Sequence, residues 1–218
     1  MKTPLQRLIL IAGIAILELS NTAIAQTLQW ANQMGGTTDD VGASMAVDAL
    51  GNVYTTGSFT GTVDFDPGAG TFNLTSAGSK DLFISKVDAG GNFLWAKQMG
   101  STQNEEGMSI AIDGSGNVYT TGYFRFTVDF DPGPGVFNLT TNPNGTSVFI
   151  LKLNSAGDFV WAKQVGGPGA NTSNSMKFDS FGNIYVSGNF DQTTTIDKSV
   201  YALKYTTIIK KTGKFGAS

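Results

Sequence analysis

The chain contains no cysteine and no histidine in 218 residues. Ser-His-Asp and Cys-His catalysis are therefore closed to it. Zinc, which is held by Cys or His in nearly all known sites, is disfavoured. Disulfides and a lipid-modified cysteine are excluded, so the fold rests on its core and its backbone hydrogen bonds. Charge is scarce at 14% of residues, and 14 Lys and Arg against 17 Asp and Glu leave a formal net charge of −3. A chain without a basic excess lacks the electrostatic footprint of a nucleic-acid binder. Long apolar runs are absent as well. The longest clear one, Leu8 to Leu17, is half of the roughly 20 residues a membrane-spanning helix needs. The side chains left for chemistry are Asp, a few Glu, Lys and Tyr, together with backbone oxygen.

What is present begins with an export pattern. Lys2 and Arg7 precede the apolar run, and Ala23-Ile24-Ala25 places small residues where a signal peptidase cuts. Residues 1–25 are expected to be a signal peptide, cleaved before Gln26, leaving no membrane span. Removing Lys2, Arg7 and Glu18 leaves 12 basic and 16 acidic residues, a net charge of −4. Gly, Thr, Ser and Asn are abundant, a mixture suited to short strands and tight turns.

The remainder repeats. Trp30-Ala-Asn-Gln-Met-Gly-Gly36 recurs as Trp95-Ala-Lys-Gln-Met-Gly-Ser101 and Trp161-Ala-Lys-Gln-Val-Gly-Gly167. The phrase Asp48 to Phe59 recurs from Asp113 to Phe124 and, more loosely, from Asp179 to Phe190. A fixed long period signals a repeat architecture. The expected division is a surplus outer strand at 26–41, repeat 1 at 42–106, repeat 2 at 107–172 and a degenerate, shortened repeat 3 at 173–218. Within repeat 1, Ser44–Asp48 and Val53–Phe59 alternate around an Asp-x-x-Gly-Asn turn, and Asp81–Val87 and Phe93–Met99 flank a second such turn. Four short antiparallel strands with Asp and Gly turns describe a propeller blade. An insert, Thr60–Lys80, carries Thr62-Val-Asp-Phe-Asp-Pro-Gly68 and Phe72-Asn-Leu-Thr75, and is copied at 127–133 and 137–140. It reads as an added hairpin, with Pro and Gly shaping its tip.

The phrases Ile110 to Tyr119, Thr127 to Gly133 and Asn92 to Gln98 resemble the bacterial β-propeller repeat family called SBBP. The first half of the unit is also similar to an NHL-type blade. The resemblance implies a propeller fold and a secreted or surface location, and carries no established activity or functional residues. The third copy departs from it: Asp191 to Asp197 lacks Phe-Asp-Pro-Gly, Ser199–Tyr205 matches the third strand, and Thr212 to Phe215 matches the next turn.

The expected fold is therefore all-β, about three propeller-type blades in an incomplete or open ring. Three blades are fewer than propellers usually contain. The chain is then a piece of a larger parent, an open arc, or half of a twofold dimer. In a blade, the connections entering the first strand and those between the second and third share one face. This gathers Asp39, Asp40, Asp64, Asp66, Glu105, Glu106, Asp129 and Asp131 on one side. Asp64, Asp66, Asp129 and Asp131 are the candidate metal ligands, and the oxygen-only set fits Ca²⁺. The competing reading makes each Asp a turn former. Paired carboxylates also raise a glycosidase, against which stands their repetition in two copies. The tryptophans, together with Tyr54, Tyr119 and Tyr185, read as blade-to-blade core and secondarily as sugar-stacking platforms. Repeat-breaking residues such as Arg125, Phe126, Asn171 and Asp191 assemble into no catalytic set. The sequence thus points to a secreted or cell-surface, non-catalytic module that binds a protein or a glycan or serves a structural role. The alternatives are an extracellular carbohydrate-active enzyme and a fragment of a larger surface protein.

Overall fold

The computed structural model describes residues 28–166 and 169–189, and the backbone of two short strands at 195–196 and 208–210. The segment assigned to a signal peptide, and the third-copy matches at Ser199–Tyr205 and Thr212–Phe215, lie outside the described residues.

Each copy builds its sheet from the phrases that repeat. In the first blade, β1 (Asp40–Val47), β2 (Val53–Phe59), β5 (Asp81–Val87) and β6 (Phe93–Met99) form an antiparallel sheet in the order β1-β2-β5-β6. The insert folds as a separate hairpin, β3 (Thr62–Asp64) with β4 (Asn73–Thr75). The second blade repeats this with β7 (Glu106–Ile112), β8 (Val118–Phe124), β11 (Ser147–Leu153) and β12 (Phe159–Gly166). Its hairpin is β9 (Thr127–Asp129) with β10 (Asn138–Thr140). The third blade holds β13 (Thr172–Phe178) paired with β14 (Ile184–Asn189). From there the copies diverge. β15 (Thr195–Ile196) joins the outer edge of β12, and β16 (Ile208–Lys210) lies parallel to β14, where the other blades have an antiparallel third strand. The described residues are all-β, without helix, in small sheets that close into no barrel. This is the open or incomplete propeller expected from the repeats.

The turns follow from carboxylate geometry. Asp48 Oδ1 accepts the backbone N–H of Leu50 and of Asn52, each at 2.9 Å. Its Oδ2 accepts Asn52 Nδ2 at 2.7 Å and the Tyr54 hydroxyl at 3.1 Å. Asp113 and Asp179 do the same for their copies, each with a glycine of positive φ closing the turn. Burial works against the charge of Asp48 and Asp113. The hydrogen bonds from Asn52 and Asn117 prevail, and both carboxyls are held below the usual range. The second turn type uses Asp88 with Asn92 in one copy and Asn154 with Asp158 in the next. The same bonds form with acid and amide exchanged.

Packing joins blade to blade. Tyr54, Leu82, Ile84 and Met99 of the first blade meet Phe124, Phe130, Phe149 and Leu151 of the second in one buried cluster. Phe130 stacks between Phe124 and Phe149, with ring centroids 5.2 and 5.0 Å away. The insert hairpin thus plugs the sheet that carries it. A smaller cluster, with Tyr119, Ile150, Met176 and Val186, joins the second blade to the third. Near the inner strands, buried hydroxyls also link blades: Thr120 Oγ1 lies 3.2 Å from Thr56 Oγ1, and Thr121 Oγ1 lies 3.1 Å from Ser173 Oγ.

The forward face of the first blade has only part of such a neighbour. Phe59, Phe65 and Phe83 pack together as their counterparts do, but only Met34 reaches them from the preceding segment. A groove of about 310 Å³ remains there. Residues 28–34, within the segment 26–41 expected as a surplus outer strand, run irregularly. They nevertheless sit where a preceding blade's outer strand would: Trp30 Nε1 donates to Ala89 O at 2.9 Å, as Trp95 Nε1 does to Ser155 O at 3.4 Å. Among the described residues, no third strand lies beside them to form a ladder.

Candidate functional site

The loop entering a blade's first strand and its neighbour's insert do meet on one side. Glu105 N–H donates to Lys80 O at 2.8 Å, and Lys80 Nζ lies 3.3 Å from Glu106 Oε1. In the first copy the entering loop meets its own blade's insert: Thr38 Oγ1 donates to Thr60 O, and Gly35 forms a β-bridge with Asp64.

The four proposed metal ligands are engaged in shaping their hairpins. Asp64 Oδ1 accepts the N–H of Asp66 at 3.0 Å and of Phe72 at 2.8 Å, and Asp66 Oδ1 accepts Gly68 N–H at 2.8 Å. Asp129 and Asp131 repeat each bond with Asp131, Phe137 and Gly133. Asp64 and Asp66 belong to one hairpin, Asp129 and Asp131 to the other. Among the described residues, no three acidic groups gather closely enough to hold a metal ion.

The tryptophans need a correction. Trp95 and Trp161 do lie between blades, each edge-on to a tyrosine at about 6 Å, but both are half-buried. Each indole lies at the rim. Trp95 covers Gly157 of the next blade's outer turn and donates its N–H to a carbonyl there. The polar edge of the ring explains the position, since a fully enclosed N–H would need a partner inside the core. Of the tyrosines, Tyr54 and Tyr119 are buried as expected, and Tyr185 is half-buried.

The fully buried acids lie at the junction between the first and second blades. Asp81 opens β5 and Glu105 precedes β7, and both are fully buried at 0% exposure. Asp81 Oδ2 accepts Gln98 Nε2 at 2.7 Å and Ala77 N–H at 3.0 Å, while Oδ1 has no partner. Glu105 accepts the N–H and the hydroxyl of Ser101 at 2.7 and 2.9 Å. Burial pushes both carboxyls up, Glu105 to about 7 with a further contribution from the charge of Asp81. Around them Lys80 pairs with Glu106, and burial followed by the hydrogen bond to Glu106 raises the Tyr123 hydroxyl above its ordinary value.

An open groove of about 430 Å³ runs past this junction between the two hairpins. It is lined by Asp81, Lys97, Gln98, Asp129, Asp131 and Pro132, among others. Two of the four carboxylates singled out from sequence reach it, and Asp64 and Asp66 do not. Sequence reasoning missed Asp81 by treating it only as the start of a strand. The signal was available: the corresponding residue of the second copy is Ser147, whose hydroxyl accepts Gln164 Nε2 at 3.0 Å. Close by, Phe126 stands at φ 56° where the first copy has Gly61. An exposed non-glycine side chain is held there in a left-handed conformation that usually costs energy.

Comparison with known proteins bears on what such a site belongs to. The chain is 28% identical over 198 residues to an uncharacterised WD repeat-containing protein of Acanthamoeba polyphaga mimivirus, covering 78% of this chain and 14% of that protein. It is 30% identical over 139 residues to the regulatory protein FlaEY of Caulobacter vibrioides, covering 59% of this chain and 15% of that one. The chain thus spans about a seventh of the length of these curated relatives. The SBBP model, a beta-propeller repeat, matches three times, at residues 29–61, 94–123 and 160–189. These matches begin at the tryptophan phrases and each takes in the first two strands of a blade, so the chain belongs to the SBBP beta-propeller repeat family.

Proposed function

We propose that this chain is an exported, non-catalytic repeat module that binds a protein or glycan ligand on the face carrying its insert hairpins. The observation that carries the reading is the division of labour among its acidic residues. Those that recur in every copy, Asp48, Asp113 and Asp179, are held by the turns they build. Asp81, whose counterpart in the second copy is Ser147, and the hairpin acids Asp129 and Asp131 line an open groove. Repeat folds place recognition on such faces because stacking leaves only the loop ends free to vary. Export follows from the basic start, the short apolar run and the Ala23-Ile24-Ala25 site. No helix among the described residues is long and apolar enough to cross a membrane.

A carbohydrate-active enzyme is the second reading. Its specific support is the raised pKa of Asp81 and Glu105, since a carboxyl kept protonated near neutrality suits a general acid. Against it, both oxygens of Glu105 are tied to Ser101, which leaves the pair one free oxygen between them.

The test is expression of the full chain with its leader, followed by intact-mass measurement and a glycan and peptide array. A secreted product beginning at Gln26 that binds a ligand without turning it over is the expected result. Hydrolysis of a glycoside, abolished in Asp81→Asn, would replace the binding reading with the enzymatic one.

A further inference from the structure

The two junctions between blades share a set of contacts along their inner strands. Ile110 N–H donates to Ser44 Oγ of the blade before it at 3.3 Å, and Met176 N–H donates to Ser109 Oγ at 3.1 Å. At the entry to the same strands, Glu105 N–H donates to Lys80 O at 2.8 Å and Asn171 N–H to Thr146 O at 3.2 Å. The accepting serine stands just past the β-bulge of its strand, and all three blades have one, at Ser44, Ser109 and Ser175. Burial follows the contacts. Ile110 is 5% exposed and Met176 1%, in the clusters that hold Tyr54 and Tyr119 of the preceding blade.

The first blade presents the receiving half of this joint, and among the described residues no blade stands before it. Met45 holds the register of Ile110 and Met176: it lies opposite Thr55, where they lie opposite Thr120 and Val186. It is 64% exposed, and Val47, on the same face of the strand, is exposed as well. Gly42 fits the same account. Its counterpart Gly107 has no room for a side chain, since a Cβ there would lie 2.1 Å from Thr56 Oγ1 of the first blade. A Cβ at Gly42 would meet only the Thr55 methyl, at 3.6 Å.

The third blade presents the matching half. Its trailing face, turned away from the second blade, carries Ser175, Tyr185 and Ser187, the counterparts of Ser44, Tyr54 and Thr56. Thr56 and Thr121 are fully buried beneath the following blade, whereas Ser187 is exposed. Tyr54 and Tyr119 are buried, whereas Tyr185 is half-buried. Both halves of one joint thus stand open on the same chain, with the second blade between them.

We infer that the forward face of the first blade receives the trailing face of the third blade of a second molecule of this chain. In that joint Met45 N–H donates to Ser175 Oγ, the Met45 side chain closes against Tyr185, and Ser187 stands over Gly42. Residues 28–34 already hold the outer-strand position ahead of the first blade, through Trp30 and Met34. The incoming blade supplies the inner part. One molecule cannot join its own two faces, because three blades are too few for a ring, and two molecules reach the range of about four to eight blades in closed propellers. The same joint formed twice around a twofold axis leaves neither face open. The inference is independent of which ligand the hairpin face binds.

The experiment is sedimentation of the full chain at concentrations up to about 0.5 mM. Three variants accompany it: Met45→Asp on the forward face, Ser187→Arg on the trailing face, and Val136→Asp at the exposed tip of the second insert hairpin. All three side chains are exposed within one molecule, so thermal melts of dilute protein should be unchanged. The expected result is a dimer that Met45→Asp and Ser187→Arg each weaken at least about tenfold, because each puts a charge into a closed contact. Val136→Asp should leave it intact. Mixing the first two variants should partly restore association, since the mixture pairs one unaltered forward face with one unaltered trailing face. A monomer at every concentration overturns the joint and leaves the face to a preceding blade of a longer parent. A dimer that Met45→Asp weakens and Ser187→Arg does not also overturns it, in favour of two forward faces meeting.

Discussion

The two blade junctions are built from the same phrases and differ in their buried polar residues. Where the first blade meets the second, the positions are held by Asp81 and Glu105. Where the second meets the third, the same positions hold Ser147 and Asn171. The neutral pair is satisfied: Ser147 accepts Gln164, and Asn171 donates to Thr146 O and Gly169 O at 2.9 Å. The acidic pair leaves one oxygen unbonded and holds two carboxyls that burial drives toward protonation. A blade thus tolerates either solution, and the more costly one stands beside the groove. The apolar packing differs in the other direction. Among the described residues the larger core fills the first junction, so the polar penalty there stands beside substantial hydrophobic support.

Removing that support should have the largest effect. Phe130→Ala is expected to cost about 3–5 kcal/mol in denaturant unfolding, because the ring is sealed between Phe124, Phe149 and the first blade. Its counterpart Phe65→Ala should cost less, because the groove on the forward face lets its surroundings relax. Equal losses would show that residues 28–34 already seal that face.

The next effect is a dependence on pH that only the acidic junction should show. Glu105 binds its proton more tightly folded, at about 7, than at its ordinary value of 4.5. Its stabilisation is therefore fully present below the unfolded value and is lost as pH rises through the folded one. Asp81 acts in the same direction. Unfolding free energy should fall by up to about 3 kcal/mol between pH 4.5 and pH 8, and Glu105→Gln should flatten most of that slope. Asp48, Asp88, Asp113 and Asp179, all held low chiefly by bonds from their asparagine partners against any burial, pull the other way. Their contribution is present above the ordinary carboxylate value and disappears only in stronger acid. Stability that rises steadily from pH 5 to pH 8 would contradict the assignment.

A smaller change separates the rim from the core. Trp95→Ala should cost about 2 kcal/mol, roughly half the loss of a sealed ring, since the indole is half-buried and contributes one hydrogen bond. A loss near that of Phe130→Ala would place the ring inside the junction. The smallest effect is expected from calcium. Asp129 and Asp131 already bind backbone amides, so millimolar calcium should shift the melting temperature by less than about 1 °C. A shift of several degrees that disappears in Asp129→Asn with Asp131→Asn would make the hairpins a calcium site.

The sequence by itself determined the architecture of the first two blades. Asp48 with Gly51 and Asn52, and Asp88 with Gly91 and Asn92, are local devices whose bonds span at most six residues, so their meaning is visible in the chain. The alternation of Val53–Phe59 and Asp81–Val87 likewise fixes each strand and its hairpin partner, β1 and β6, through short connections. The same locality made the turn-forming role of Asp64 and Asp66 readable. Tertiary structure alone decided what lies between copies. Whether Trp95 is core or rim depends on Ser155, 60 residues away, and Asp129 and Asp131 join Asp81 only because two hairpins face each other across a blade junction. The third blade's parallel neighbour was also beyond sequence reasoning, because pairing between distant strands is set by which edge is left open. Burial is a property of the assembled stack. A carboxylate written as an ordinary strand start becomes a fully buried acid only when the blades close over it.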